Sequence, residues 1–213
     1  MLIDVIGAAI LGVLISRVIL FTAQRMLSSF EFSWLPGTYQ QLSLALGYAL
    51  MFAIAALQNN KPGALLCTIT LITLLLILAL IDLQIKILPN LMTLPMLATG
   101  LLLSLTGASI TLGDSILGMA LGYLILLVPH FIFKLMTSRD GIGFGDIKLM
   151  AAIGAWIGWQ YLIEIILIAS ISAALIGYLL VSLKKHHKKD YLAFGPYLVG
   201  ASLIILLVKH PFQ

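Results

Sequence analysis

The chain has 213 residues, 62% of them apolar and only 9% charged, twelve basic and eight acidic; its mean hydropathy is +1.14. A soluble domain carries about a quarter charged residues and needs that polar surface to cover its core. Soluble globular, disordered and disulfide-stapled classes are therefore excluded, leaving an all-α polytopic transmembrane helical bundle. At about 20 residues per crossing, eight spans use roughly 160 residues and leave about 50 for loops.

In chain order, the first apolar segment covers about residues 3–23, interrupted by Arg17, and the second about 39–57. The first, MLIDVIGAAILGVLISRVIL, lacks a basic n-region and a clear small-residue cleavage site, so it reads as a retained span. After the turn QNNKPG, the third runs over about 64–81, broken only by threonines. The stretch DLQIKILPNLMTLP follows, short, amphipathic or re-entrant, with two prolines. The fourth segment lies at about 92–110, and the fifth at about 115–136, ending before TSRDGIGFGD. From Ile147 to Leu183, 37 residues carry only Lys148 and Glu164 as charges. That is too long for one span, so it divides near Gln160–Glu164 into a sixth and a seventh. The loop KKHHKKDYLAFGP precedes the eighth, at about 197–209. The expectation is one integral-membrane domain over 1–213 with about eight segments, or six if the short sixth and eighth do not cross.

Basic residues orient such a bundle. Odd-numbered loops collect Arg17, Arg25, Lys86, Lys134, Arg139, Lys148, Lys184, Lys185, Lys188 and Lys189, whereas even loops and termini collect Lys61 and Lys209. Odd loops should face the cytosol, with both termini outside. The basic residues are too few and scattered for a nucleic-acid face, so no nucleic-acid partner is expected. Cys67 is the single cysteine, which excludes an intramolecular disulfide and a cysteine-based zinc site. Its setting, ALLCTIT, fits a core or lipid-facing residue.

Two of the eight acids abut long apolar runs on the cytosolic side. Asp82 ends the third span after LLLILALI, a costly position unless the carboxylate faces protein or water; the plain reading is the interfacial stop of a helix. Asp146 lies in GIGFGDIKLMAAIGAWIGW, where glycines hold off helix until Gly145, and its plain reading is an N-cap. The helix from Asp146 to Trp159 would be about 21 Å long, short of the roughly 30 Å hydrocarbon core. The glycine loop should then dip below the surface, which irregular backbone tolerates only where protein or water satisfies it.

Bundled helices can bring these two carboxylates to one pocket. Close carboxylates do not both ionise easily and tend to share a proton. One can then take a proton from water while the other polarises a peptide carbonyl. The glycines would admit an extended backbone close to Asp146. Other acids have structural readings: Asp114 caps the fifth helix, and Glu164 marks the hairpin before the seventh.

Competing motifs are weak. GIGFGDIK lacks the ending of a phosphate-binding loop, no HExxH is present, and no metal is expected. His186 and His187 sit inside KKHHKK, an anchor for anionic lipid. His130, after Pro129, has a packing or hydrogen-bonding role. Trp156, Trp159 and Tyr161 fit an aromatic belt at the outer interface.

At these residues the sequence resembles the type 4 prepilin peptidases, membrane aspartic proteases of the GxGD class. IDLQIKILPNLMTLPML resembles the family's first aspartate motif and GIGFGDIKLMAAIGAWIGWQ the second. LGDSILGMALGY resembles the segment between them, and AFGPYLVGA the element near the C-terminus; the match runs over about 78–202. The resemblance implies Asp82 and Asp146 as the catalytic pair, with Gly143, Gly145, Lys148 and Pro89 supporting the site or binding substrate. It implies type IV prepilin or pseudopilin substrates, cut at the cytosolic face of a bacterial inner membrane with no cofactor for proteolysis. Many members carry a cysteine-rich zinc-binding region between the first two spans, whereas QRMLSSFEFSWLPGTYQQ has no cysteine. Members also methylate the product with S-adenosylmethionine through their N-terminal part; with that part shortened, methylation is not expected. Asn90 stands where many relatives have an aspartate. A proton-coupled transporter using the same acids, or a noncatalytic scaffold of a pilus or secretion assembly, are the alternatives.

Overall fold

The computed structural model describes residues 2–28, 38–58, 62–107, 109–138, 141–183, 193–209 and 211–212. The linker between the first two helices, Lys61, Arg139 and the loop carrying Lys184, Lys185, His186, His187, Lys188 and Lys189 lie outside the described residues. Among the described residues the chain is all-α, with eight α-helices and no strand: α1 Leu2–Ser28, α2 Thr38–Gln58, α3 Pro62–Ile85, α4 Asn90–Leu105, α5 Leu112–Thr137, α6 Phe144–Ile157, α7 Leu162–Ser182 and α8 Gly195–Lys209. A 3-10 turn at Trp159–Tyr161 joins α6 to α7. These are the eight segments expected from hydropathy.

Among the described residues, three stretches, Pro62–Ile85, Leu112–Thr137 and Trp159–Ser182, are long and apolar enough to cross a membrane. Within α3 the threonines satisfy themselves: Thr68, Thr70 and Thr73 each donate to the carbonyl four residues back at 2.8 Å, so their hydroxyls need no outside partner. On α7, Ile163, Leu167, Ile171, Leu175 and Leu179 recur every four residues and are all exposed. A continuous bare apolar stripe of this kind marks a lipid-facing surface.

The short helix α6 occupies the interior. Ile147 and every residue from Leu149 to Ile157 are buried, because α4, α5 and α8 pack around it. Its approach to α5 is backbone on backbone. Gly118 and Gly154 face one another, each so close to the other's carbonyl that a Cβ on either would overlap it, and a Cβ on Gly122 would stand 2.5 Å from the Met150 carbonyl oxygen. Small residues spaced by four let apolar helices meet at this range. Ser115 fastens the contact by donating to the Ala155 carbonyl at 2.6 Å.

Several expectations are corrected. Trp156 is not part of an interfacial belt: it is fully buried and donates its indole N–H to the Met96 carbonyl at 2.7 Å, with its ring against Gly100. An α6 enclosed on all sides leaves that side chain no route to the interface. The fourth helix stops at Leu105 rather than near 110, since Gly107 turns the chain at φ +70. Helix α6 starts at Phe144, two residues before Asp146, because one glycine in a first turn does not prevent helix.

Candidate active site

Asp82 lies one turn before the end of α3. The helix closes at Lys86, whose left-handed backbone (φ 54) lets its amide donate to the Asp82 carbonyl at 2.9 Å, a C-terminal closure of the αL type. Residues 86–89 then lead into α4, where Pro89 is the N-cap at φ −67. Proline suits this boundary because its fixed φ and missing N–H fit the entry to a helix. Leu88 is buried between two glycines. A Cβ on Gly145 would stand 2.9 Å from the Leu88 Cβ, and one on Gly195 would stand 3.4 Å from its Cδ1. The linker after Asp82 is thereby wedged between the start of α6 and the start of α8.

The Asp82 carboxylate is 4% exposed, and its Oδ2 has no hydrogen-bond partner among the described residues. Gly195 abuts it so closely that a Cβ there would stand 2.5 Å from Oδ2. Glycine is the side chain that leaves room for this acid.

Asp146 is in the first turn of α6, and the N-cap is Gly143. The expected N-cap at Asp146 is thus displaced by three residues. Its amide donates to the Gly143 carbonyl at 3.1 Å, and its Oδ2 lies 3.3 Å from where a Gly143 Cβ would be. The carboxylate folds back over the cap, at a helix end that favours negative charge.

Both carboxylates line one cavity of about 640 Å³, with Lys86, Pro129, Gly141 to Gly143, Ile166, Ser170 and Phe194 among its walls. A smaller pocket of about 240 Å³ continues past Asp82, Lys86, Gly143, Gly145 and Asp146. Four of the six residues singled out in the sequence, Asp82, Asp146, Gly143 and Gly145, therefore meet here. The other two support it: Pro89 starts α4, and Lys148 donates to Asn90 Oδ1 at 2.8 Å. That bond ties the helix bearing Asp146 to the start of α4, just after the linker that follows Asp82. Asn90, which stands where the resemblance leads one to expect an aspartate, is the acceptor.

The packing or hydrogen-bonding role expected of His130 is what the structure shows, with Nδ1 2.9 Å from the Ile142 carbonyl oxygen and the ring on Phe144. Its place beside the glycine loop, and the roles of Leu88, Ser170 and Gly195, were not singled out in the sequence. FGP drew attention only as a resemblance, and Ser170 sits in an apolar run that gives no signal. Among the described residues no group of three or more His, Cys, Asp or Glu could hold a metal ion. The arrangement puts two carboxyl groups on the wall of one cavity with room for a water and a peptide carbonyl.

A buried and a half-buried carboxylate on one cavity, within a bundle of apolar helices, define a polytopic helical membrane protein with a two-acid site. The chain belongs to the type IV leader peptidase family, whose profile matches residues 69–178. It is 41% identical over 159 residues to a prepilin leader peptidase/N-methyltransferase of Aeromonas salmonicida, covering 75% of this chain and 55% of that one. The likeness to the protein of the same name in Pectobacterium carotovorum subsp. carotovorum is 35% over 178 residues, or 79% and 64%. For that of Burkholderia pseudomallei it is 36% over 174 residues, or 82% and 56%. The chain spans between about half and two thirds of the length of these relatives. No solved structure matches it.

Proposed function

We propose that the protein is an aspartic endopeptidase that removes the leader peptide of type IV prepilins or pseudopilins at the cytosolic face of a bacterial inner membrane, with Asp82 and Asp146 as its dyad. The observation that carries this reading is the shared cavity, in which two carboxylates from distant motifs meet at the ends of two helices. Family membership and the relatives' names support the choice of substrate. The surplus of basic residues in the odd-numbered loops supports the orientation, with both termini outside.

Two carboxyl groups at one site hold one proton between them. The ionised member takes a proton from water as the water oxygen attacks the scissile carbonyl carbon. The protonated member gives its proton to the carbonyl oxygen. Collapse of the tetrahedral diol breaks the C–N bond: the leaving nitrogen takes the proton held by one carboxyl while a diol hydroxyl returns its proton to the other, so the dyad again holds one proton. Gly141 and Gly143 put bare backbone on the cavity wall beside Asp146, which an extended peptide can approach closely. Hydrolysis by this route needs no cofactor. S-adenosylmethionine belongs to the methyltransferase half of the relatives' names, which this proposal leaves aside.

The test is co-expression with a type IV prepilin, with leader removal read on a gel. Asp82→Asn and Asp146→Asn should each slow cleavage by about 10³-fold or more, the scale of a lost proton-transfer group. Wild-type cleavage by either variant overturns the dyad. A wild-type chain that processes no prepilin but carries pH-dependent flux in proteoliposomes overturns the peptidase reading in favour of transport.

A further inference from the structure

The glycine loop before Asp146 has little of its own to hold it in place. Gly141 and Gly143 bring no side chains, and the loop must still present Asp146 to the cavity at a fixed position. The hold comes from the second half of α5. There Pro129, inside the helix, is followed by His130, whose ring is completely buried. Its Nδ1 lies 2.9 Å from the carbonyl oxygen of Ile142, the residue between the two loop glycines. A carbonyl only accepts, so Nδ1 is the protonated ring nitrogen in this bond. The same ring packs on Phe144, the first residue of α6, with centroids 4.8 Å apart. One turn further on, Phe133 presses on Gly141, where an added Cβ would come within 2.6 Å of its Cδ1.

We propose that His130 is a positioning residue for the aspartate dyad: through Nδ1–H to the Ile142 carbonyl it pins the glycine loop to α5 and thereby sets where Asp146 stands. The inference rests on the peptidase reading for its kinetic consequence, but the pinning itself does not. The bond runs from α5 to Ile142, the next residue is the N-cap Gly143, and the Gly143 carbonyl receives the Asp146 amide. A loop released at Ile142 thus releases the first turn of α6. His130 touches no reacting atom, so its loss should lower kcat and leave KM nearly unchanged.

The experiment uses the full chain in detergent. In Asn the amide nitrogen can occupy the place of Nδ1, whereas in Gln it reaches instead towards the place of Nε2. His130→Asn should therefore keep cleavage within about tenfold of wild type, and His130→Gln should lose about a hundredfold in kcat, the cost of a misplaced catalytic group. Equal activity of the two variants, or a loss confined to KM, overturns the proposal. A second readout needs no activity: the thiol introduced by Ile142→Cys in a Cys67→Ala background is alkylated with a maleimide. Replacing His130 by leucine in that background should speed labelling on the order of tenfold, as expected of one lost buried hydrogen bond. An unchanged labelling rate overturns the pinning. If wild type cleaves no prepilin while labelling still responds to His130→Leu, the peptidase reading fails and the pinning stands.

Discussion

Two aspartates in this molecule occupy the same local position and serve opposite ends. Asp114 and Asp146 each follow a glycine, and each sits three residues after its helix's N-cap, Thr111 for α5 and Gly143 for α6. At α5 the cap has a side chain. The Thr111 hydroxyl accepts the Asp114 amide at 3.2 Å and donates to Asp114 Oδ2 at 2.7 Å. Trp159 and Gln160 then donate to Oδ1 at 3.0 and 2.9 Å. Three donors engage both carboxylate oxygens, and the acid is a structural knot joining α5 to the α6–α7 turn. At α6 the cap is glycine, and the carboxylate reaches into a cavity opposite Asp82. The motif LGD against FGD does not separate the two; the residue three places earlier does. A side chain at the cap engages the acid, and a missing one leaves it facing the cavity, available for the role proposed for it.

The widest separation of these two acids comes from paired amide substitutions. Asp146→Asn should reduce prepilin cleavage by about 10³-fold or more, while Asp114→Asn, in an exposed hydrogen-bond cluster, should change it by no more than about threefold. Both would be read in the same gel assay with matched expression. Comparable losses in the two variants would break the comparison. Next in size is Gly195→Ala, whose Cβ would stand 2.5 Å from Asp82 Oδ2. It should displace that carboxylate and cost about a hundredfold in kcat, the scale of a misplacement near 1 Å. Its thermal midpoint by circular dichroism should move little. Wild-type kcat in this variant would mean that the Asp82 position is not critical.

The opposite signature belongs to the capped end. Thr111→Ala removes the side-chain cap of α5 and should lower stability by about 1 kcal/mol with cleavage unchanged. Thermal unfolding in detergent checks the first and the gel assay the second. A loss of cleavage without a loss of stability would place this end of the molecule in the reaction.

How much of this was legible in the sequence depends on what each residue's neighbours are. The eight helices followed from apolar runs, because length and hydropathy suffice to define a segment that must hydrogen-bond internally. Asp82 and Asp146 were legible because a carboxylate within an apolar run needs a reason. Trp156 misled: an indole at the end of a short apolar segment reads as an interfacial anchor, and only the enclosure of α6 by α4, α5 and α8 buries it. His130 and Gly195 were illegible as site residues for a related reason. A histidine amid LLVPHFIF and a glycine in AFGPY gain meaning only when folding sets one beside the Ile142 carbonyl and the other against Asp82. Periodicity describes an element's own faces, and these contacts join elements 12 to 113 residues apart.

The smallest effect sharpens the comparison from the other direction, by asking whether any acid at a helix start matters as such. Glu164 is a third case: it lies in the first turn of α7 and pairs with Lys209 at 3.4 Å, with both side chains nearly half exposed. Its charge is favourably placed at a helix N-terminus, but solvent screens both that field and the ion pair. Glu164→Gln should therefore change stability by no more than about 0.5 kcal/mol, the usual scale of an exposed pair, and raising the salt should shrink even that difference. Thermal midpoints of wild type and variant at low and high salt measure it. A loss above about 1 kcal/mol at high salt would exceed what an exposed pair supplies, and would show that charge at a helix start carries weight here without a capping side chain or a cavity. A change near zero leaves local position as the shared feature of three acids, and enclosure as what distinguishes Asp146.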